Sequence, residues 1–284
     1  MTATAAGTPV REALQGASDA LEAAGVDSPR LDAELLLCEA AGWERAQLAA
    51  DPEAAVPAAA GRSMAAMVRR RLRREPLAYI TGRKGFRGIE LAVDPRALIP
   101  RPETELLVEV ARELGPATAL DVGTGSGAVA LAVAAELPAC ELIATDTSPA
   151  ALELARENAA ALGLSDRIGF ELGTLPEAKA DPAEEAEFDV LLANLPYVRD
   201  AEWEALAPEI REYEPRGALL GGADGLDAIR DLLSDLDGRS IDAVALEVGL
   251  GQAAEVEALV RAAGFSAVES RRDLAGIERV VVGQ

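Results

Sequence analysis

The chain has 284 residues, of which 50% are hydrophobic and 27% are charged, a composition typical of a folded protein with one large domain or two ordinary ones. It contains no histidine, which excludes Ser-His-Asp and Cys-His catalytic systems and most zinc sites, so no metal site is expected. No stretch has the pattern of a secretory signal or of a membrane span, and we expect a cytoplasmic protein without membrane contacts.

The net charge of −22 comes entirely from the second part of the chain. Residues 1–90 carry 12 basic and 12 acidic side chains, which leaves 15 basic and 37 acidic side chains for residues 91–284. A surface this acidic repels phosphate groups, and nucleic-acid affinity depends largely on neutralising them. We therefore expect no direct nucleic-acid partner.

The first 75 residues have the apolar spacing of α-helices. The pattern predicts helices over residues 10–24, from Pro29 onward, and over residues 58–74, where Glu75-Pro76 must end the helix. The last helix ends in five arginines within residues 69–74. These arginines fit either a solvated helix end or a contact surface for an acidic macromolecule.

The pattern changes between residues 76 and 102. Glycines divide this region into short β-prone pieces, which predicts a hairpin linker. The segment Ile99-Pro100-Arg101-Pro102-Glu103-Thr104-Glu105 follows, and its two prolines stiffen the loop around Arg101. A helix is predicted over residues 104–114.

From residue 118 onward, predicted strands alternate with predicted helices. The strands cover residues 119–122, 141–145, 168–172, 188–193, 243–248, 266–270 and 279–282, and the early helices cover residues 128–136 and 149–162. This alternation predicts an α/β fold with a mostly parallel, doubly wound sheet. Ligands of such sheets bind at the carboxyl ends of the strands.

A glycine-rich loop follows the first strand of this sheet. The predicted cofactor-binding residues are Asp121, Gly123, Thr124, Gly125, Ser126 and Gly127. Glycines let the backbone approach a ligand, and the next helix offers free N–H groups. The spacing also fits a dinucleotide fingerprint with Asp146 downstream, so a nicotinamide dehydrogenase remains an alternative. However, Asp121 would repel a pyrophosphate and attract the ammonium group of S-adenosylmethionine. Asp146 suits the ribose hydroxyls or caps the following helix.

The fourth strand leads into Asn194-Leu195-Pro196-Tyr197, which fits the (Asn/Asp)-x-Pro-(Tyr/Phe) motif of methyltransferases that act on planar nitrogens. Further motifs are Pro76-Leu77-Ala78-Tyr79-Ile80-Thr81-Gly82, the proline-flanked Arg101 segment, the glycine loop, Tyr213-Glu214-Pro215 and Glu278-Arg279-Val280. Together they resemble the peptide chain release factor N5-glutamine methyltransferase family, and the resemblance covers essentially the whole chain.

The resemblance implies a three-part organisation and a reaction. It implies a helical substrate-binding domain (1–75), a hairpin linker (76–102) and a Rossmann-like, seven-stranded class I methyltransferase domain (103–284). The reaction is methyl transfer from S-adenosylmethionine to the side-chain amide of the glutamine in the Gly-Gly-Gln motif of release factors. S-adenosylhomocysteine is the product, and we expect a monomer.

The resemblance also implies the roles of individual residues. Asn194 Oδ1 and the Leu195 carbonyl accept the two amide hydrogens, Pro196 fixes the turn, and Tyr197 packs against the flat amide. Asn194 is also expected to contact the cofactor. Arg101 is expected at the mouth of the cofactor or substrate site, unless it only pairs with Glu103 or Glu105.

The sequence departs from the family pattern in two places. The family motif has two prolines, and Leu195 replaces the first of them. The family usually has an acid after the third strand, where this chain has Gly173-Thr174-Leu175, so we expect Thr174 or Leu175 to contact the adenine. Residues 247–249 are expected to be sheet-edge and turn structure.

Three other functions remain open at this point. One is methylation of an exocyclic base nitrogen in RNA or DNA, or of a glutamine in a ribosomal protein. A second is the nicotinamide dehydrogenase, which would need an acid or base for hydride transfer; this chain has no histidine and no suitably placed lysine. A third is a translation-associated binding protein that has kept the fold without activity.

Overall fold

The computed structural model describes residues 7–176 and 188–284. The chain divides into two compact units. One comprises the described residues up to Gly82 together with Ala207–Tyr213, and the other comprises the described residues from Arg83 to Leu206 and from Glu214 to Gln284. In these ranges, no helix is both long and apolar enough to cross a membrane.

The first unit is helical. Its helices are α1 (Val10–Ala23), α2 (Pro29–Ala41), α3 (Arg45–Ala50), α4 (Ala58–Arg71), α5 (Leu77–Thr81) and, from the later segment, α9 (Pro208–Tyr213). The predicted apolar face of α1 is buried, with Leu14 and Leu21 packed against Leu36 and Leu37 of α2 in one core. Ile80 of α5 joins the same core. The helical unit therefore extends to Gly82, beyond the end expected near residue 75.

The arginine cluster at the end of α4 is largely used inside this unit. The buried Arg71 donates from Nε to Asp32 Oδ2 at 2.7 Å and from Nη1 to Glu209 Oε1 at 2.8 Å. Arg74 donates to both oxygens of Glu209, at 2.6 and 2.7 Å, and Arg70 pairs with a neighbouring glutamate. For these three arginines, the expectation of a solvated helix end is wrong. Helix α4 also ends at Arg71 rather than at residue 74, and Arg74 beyond it has a left-handed backbone (φ 65°).

The second unit begins with an antiparallel hairpin of β1 (Arg83–Phe86) and β2 (Ile89–Ala92). The elements that follow are α6 (Glu105–Leu114), β3 (Thr118–Val122), α7 (Ala128–Glu136), β4 (Glu141–Asp146), α8 (Pro149–Ala161), β5 (Ile168–Leu172) and β6 (Phe188–Ala193). After the excursion into the first unit come α10 (Asp227–Asp235), β7 (Ile241–Glu247), α11 (Ala253–Ala262), β8 (Val268–Arg272) and β9 (Glu278–Gly283).

The large sheet has the strand order β5-β4-β3-β6-β7-β9-β8. Strands β3 to β7 are parallel, whereas β9 runs antiparallel to both β7 and β8. This confirms the predicted seven-stranded, Rossmann-like α/β domain. The central strands carry almost continuous apolar residues because both faces of the sheet are covered. The strand order reverses between β3 and β6, which makes their carboxyl ends the expected ligand site.

The hairpin is attached to the glycine loop through α8. The Asn158 side chain accepts from the Ala92 backbone N–H at 2.7 Å and donates to the Ala92 carbonyl at 3.0 Å. Its Nδ2 also donates to the Ser126 carbonyl at 2.9 Å. One buried amide thus satisfies backbone groups of two segments, which fixes the loop against the hairpin.

Candidate active site

A pocket of about 510 Å³ opens at the carboxyl ends of β3, β4 and β6, within the range of roughly 300–1,000 Å³ typical of small-molecule sites. Residues from four predicted segments line it: the glycine loop, the end of β4, the loop after β6 and the proline-flanked Arg101 segment. Of the predicted site residues, it brings together Arg101, Asp121, Gly123, Thr124, Gly125, Ser126, Asp146, Thr174, Asn194, Leu195 and Pro196. Gly127, Leu175 and Tyr197 do not line it.

Asp121 places a buried carboxylate at the floor of this pocket. The residue is 1% exposed, and its Oδ2 accepts from Thr124 Oγ1 at 2.6 Å and from the Ala130 N–H at 3.1 Å. Burial raises the pKa of Asp121 to about 6, against the lowering effect of these two hydrogen bonds. A cation that binds beside this carboxylate would relieve the penalty of its burial.

The glycine loop wraps tightly around the end of β3. The Gly123 backbone has φ +72° and donates its N–H to the Thr145 carbonyl at 2.9 Å. Gly127 is the N-cap of α7 and has φ +85°, and a Cβ there would lie 2.9 Å from the Leu131 side chain. Gly127 is therefore needed for packing beneath the loop. Ser126 Oγ is buried, lines the pocket and has no hydrogen-bond partner within the described residues, so it can bond a ligand.

Asp146 joins the glycine loop to the start of α8. Its Oδ2 accepts from the Gly125 N–H at 2.9 Å and its Oδ1 accepts from the Ser148 N–H at 2.8 Å. Ser148 itself caps α8, because its Oγ accepts from the Ala151 N–H at 3.2 Å. The Asp146 carboxylate is thus held rigidly at the pocket wall, where its remaining lone pairs suit hydroxyl donors such as those of a ribose.

The two residues expected near an adenine, Thr174 and Leu175, follow β5 and have different surroundings. Thr174 lines the pocket, and its carbonyl accepts from Thr145 Oγ1 at 2.7 Å. Leu175 instead packs against the hydrophobic core of the sheet. Only Thr174 is therefore positioned to contact a ligand in this pocket.

The loop after β6 brings an amide to the pocket. Asn194 Nδ2 donates to Thr104 Oγ1 at 3.0 Å, and Leu195 and Pro196 continue along the pocket wall. The Tyr197 carbonyl accepts from Gln252 Nε2 at 3.1 Å, and its ring lies so close to Gly249 that a Cβ there would be 3.0 Å from Tyr197 Cδ2. Tyr197 thus supports the loop from behind this pocket.

Two residues beside Asn194 were missed by the sequence analysis. Thr104 is buried, and Glu247 is 2% exposed at the end of β7. The Thr104 side chain is the hydrogen-bonding neighbour that lowers the pKa of Glu247. Glu247 Oε2 has no partner among residues 7–176 and 188–284, and burial raises the pKa of this carboxyl to about 7. The expectation of sheet-edge structure is wrong for Glu247, because β7 pairs with β6 and β9, whereas Val248 and Gly249 follow the strand. The signal was an acid ending an apolar strand, as at Asp146, which ends β4.

Arg101 is paired, but not with either predicted partner. Its Nη2 donates to Oε1 of the buried Glu214, and Glu214 Oε2 accepts from the Ile99 N–H at 3.1 Å. One buried carboxylate thus fixes both the Arg101 guanidinium and the backbone of the proline-flanked segment. The sequence analysis named Glu214 within the Tyr213-Glu214-Pro215 motif, but it did not predict that Glu214 pairs with Arg101.

The chemistry of the pocket suits a ligand with a cation and hydroxyl groups. Asp121 offers a negative charge, and Asp146 and Ser126 offer polar oxygens. The arginines that line the pocket are already neutralised, Arg96 by three carboxylates and Arg101 by the carboxylate of Glu214. A pyrophosphate would therefore meet Asp121 without a free arginine beside it, which disfavours a dinucleotide. The described residues contain no group of three or more metal-ligating side chains.

The chain is similar in sequence to known family models and proteins. Residues 12–82 match the family model described as the PrmC N-terminal domain, and residues 119–215 match one described as a methyltransferase domain. A protein of Caulobacter vibrioides named release factor glutamine methyltransferase is 40% identical over 96% of this chain and 95% of its own length. A protein of the same name from Moorella thermoacetica is 44% identical over 90% of each chain.

Solved structures with a similar fold are more distant in sequence. The catalytic domain of hMettl16 in complex with the MAT2A 3'UTR hairpin 6 aligns with a TM-score of 0.56 at 15% identity, covering 69% of this chain and 76% of that one. The N-terminal domain of human METTL16 in complex with SAH aligns with a TM-score of 0.51 at 16% identity, covering 69% and 76%. These similarities show the fold alone.

Proposed function

Because this chain belongs to the release factor glutamine methyltransferase family, we propose that Asn194 and Leu195 hold the glutamine of a release factor against the donor pocket. The enzyme transfers a methyl group from S-adenosylmethionine to a release factor glutamine. S-adenosylhomocysteine is left as the product. The finer proposal is that the acceptor is the side-chain nitrogen, N5, of the glutamine in the Gly-Gly-Gln motif.

The hydrogen bond between Asn194 and Thr104 carries this proposal. Since Asn194 Nδ2 donates to Thr104 Oγ1, the other atom of the amide, Oδ1, remains to accept a hydrogen bond. A substrate amide offers two N–H groups in one plane. Asn194 Oδ1 and the Leu195 carbonyl would accept one each, and the Leu195 side chain would not be needed for this role.

The acceptor nitrogen must be oriented because an amide is a poor nucleophile. The donor supplies a methyl group on a positively charged sulfur, which takes the electron pair of the broken S–C bond and becomes a neutral thioether. The two acceptors hold the amide so that its nitrogen faces this methyl group. They also stabilise the positive charge that develops on nitrogen before its proton is lost to water. Orientation of this kind contributes on the order of 7–11 kcal/mol to lowering a barrier.

The donor would be held by the residues around the glycine loop. Asp121 would neutralise its ammonium group, Asp146 would accept from the ribose hydroxyls, and Thr174 would lie near the adenine. Ser126 Oγ, which lacks a partner within the described residues, would complete the polar contacts. Arg101 would shape the mouth of the site, because its charge is already neutralised by Glu214.

We also propose a role for each part of the chain from its membership of this family. The helical unit, which extends to Gly82 rather than to residue 75, would contact the protein substrate. Residues 83–102 would link, and residues 103–284 would perform the methyl transfer. A cytoplasmic monomer without nucleic-acid contacts is proposed. Residues 91–284 carry 37 acidic but only 15 basic side chains, and this negative charge supports a protein substrate rather than a base in RNA or DNA.

The experiment uses a methyl-labelled donor and full-length release factors. After incubation, tandem mass spectrometry locates the label. The proposal predicts one methyl group on the side-chain nitrogen of the Gly-Gly-Gln glutamine, and no label in a release factor whose glutamine is replaced by glutamate. Label on another residue, or on added ribosomal RNA in preference to the release factor, would overturn the proposal.

A further inference from the structure

We propose that Glu247 is a positioning residue, which acts through Thr104 to turn Asn194 Oδ1 toward the substrate amide. The inference rests on the proposed function, because it concerns how Asn194 is prepared for that substrate. Glu247 does not line the donor pocket, whereas Thr104 and Asn194 do. Any effect of Glu247 on the reaction therefore passes through its neighbours.

Three segments bring these side chains together in the interior. Glu247 ends β7, Thr104 ends the 3-10 turn Pro102–Thr104, and Asn194 directly follows β6. Thr104 and Glu247 are both buried. Thr104 Oγ1 accepts from Asn194 Nδ2 at 3.0 Å, and the Thr104 side chain is the hydrogen-bonding neighbour that lowers the pKa of Glu247. A hydrogen bond from the Thr104 hydroxyl to the Glu247 carboxylate would join the three groups in one chain.

The ionised carboxylate sets the direction of this chain. A carboxylate only accepts hydrogen bonds, so the single Thr104 hydrogen must be donated to Glu247. The Thr104 oxygen then presents a lone pair to Asn194, and only the NH₂ side of that amide can bond it. Asn194 Oδ1 is consequently left for the substrate, which is the atom that the proposed reaction requires.

A protonated Glu247 would remove this constraint. It could donate to Thr104 Oγ1, which would free the Thr104 hydrogen to bond Asn194 Oδ1 and favour the flipped amide. The groups that act on Glu247 from neighbouring elements are Glu103 and Tyr197, together with the arginines Arg101 and Arg279. Burial is the largest effect and raises the pKa of Glu247 to about 7, whereas the Thr104 hydrogen bond and both arginines lower it.

A purely structural role does not account for the site. Glu247 Oε2 has no hydrogen-bond partner within the described residues, and an unsatisfied buried carboxylate is destabilising. A glutamine or an apolar side chain would fill the same space without a buried charge. Of these side chains, only the carboxylate accepts a hydrogen bond and cannot donate one, and this combination orients Asn194.

The test compares Glu247→Gln with a matched pair at Thr104. Glutamine can donate as well as accept, Thr104→Val removes the hydroxyl at constant shape, and Thr104→Ser keeps the hydroxyl. We measure kcat for methylation of a full-length release factor at saturating S-adenosylmethionine, from pH 6 to pH 8.5. Donor binding, measured by calorimetry, reports whether each variant keeps the folded site.

The wild-type kcat should rise about tenfold between pH 6 and pH 8, as expected for one group with a pKa near 7 that must be ionised. Thr104→Ser should follow the wild type. Glu247→Gln and Thr104→Val should lose this pH dependence and fall roughly tenfold at pH 8, as expected for the loss of a hydrogen bond to a charged group. The donor affinity of Glu247→Gln should stay within about twofold of the wild type, because Glu247 does not line the donor pocket.

Glu247→Gln or Thr104→Val with wild-type kcat and wild-type pH dependence would overturn the inference. If Glu247→Gln does not bind donor, the Thr104→Val and Thr104→Ser pair decides the question alone. The proposed function fails separately, when the wild-type enzyme itself puts no methyl group on the glutamine. If the wild-type enzyme methylates the glutamine and Thr104→Val is equally active, the role of Glu247 is rejected and the proposed function stands.

Discussion

Replacing Asp121 with asparagine separates the effect of this carboxylate on folding from its effect on donor binding. The side chain is buried, and burial raises its pKa from an ordinary 3.8 to about 6. Converted at 1.36 kcal/mol for each pH unit, the ionised carboxylate destabilises the fold by about 3 kcal/mol at pH 8. Asparagine has no charge and keeps an oxygen that can accept from Thr124 and from the Ala130 N–H. The ligand-free Asp121→Asn variant should therefore be about 3 kcal/mol more stable than the wild type at pH 8.

The difference should depend on pH in a defined direction. Since the folded pKa is raised, the folded protein binds this proton more tightly than the unfolded chain. The wild type therefore gains stability from Asp121 as the pH falls through 6, and the variant does not. At pH 5 the two proteins should differ by only about half as much as at pH 8. Urea denaturation of both proteins at pH 5 and pH 8 measures these differences directly.

Donor binding should change in the opposite sense. Without the carboxylate to neutralise the ammonium group, Asp121→Asn should bind S-adenosylmethionine on the order of tenfold or more weakly, as expected for a lost charge-assisted contact. Titration calorimetry at pH 8 gives both affinities. A variant that is less stable than the wild type at pH 8, or a stability difference that stays constant with pH, would refute the assignment of a buried, ionised Asp121.

Three further substitutions test other parts of the structure. Asn194→Ala should abolish methylation and leave donor affinity nearly unchanged, measured by single-turnover kinetics and calorimetry; near-normal turnover would contradict its role. Asp146→Ala should weaken donor binding at least several-fold, because it also frees the Gly125 N–H that holds the loop; unchanged calorimetric affinity would be inconsistent with the ribose assignment. Arg71→Met should lower the free energy of unfolding by about 3–5 kcal/mol, since Asp32 is left buried without its cation; urea denaturation with less than 1 kcal/mol of change, roughly the value of a surface pair, would show that the pair is not structural.

The fold could be predicted because its signals are local. Each parallel strand is a short apolar segment next to an amphipathic helix, and the glycine loop follows one of them directly. The positions of Asp121, Asp146 and Asn194 follow from the same pattern, since parallel strands of one sheet end at one edge. The predicted bounds of β6 agree with the structure, and β8 begins two residues later than predicted.

The partners of the site residues could not be predicted in the same way. Arg101 and Glu214 are 113 residues apart, and Thr104 and Asn194 are 90 residues apart. Each pairing depends on how loops from separate elements meet, which local spacing does not encode. The sequence also could not show which arginines at the end of α4 are buried. Their charge suggested that they are exposed to solvent or to a partner, whereas Arg71 is buried against Asp32.

A ternary structure of the enzyme with S-adenosylhomocysteine and a full-length release factor would show how Asn194 holds the acceptor glutamine. We expect the nitrogen of the glutamine side chain to lie about 3 Å from Asn194 Oδ1, with its second hydrogen directed at the Leu195 carbonyl. A glutamine bound elsewhere, or an Asn194 amide that presents its NH₂ group to the substrate, would disprove this role of Asn194.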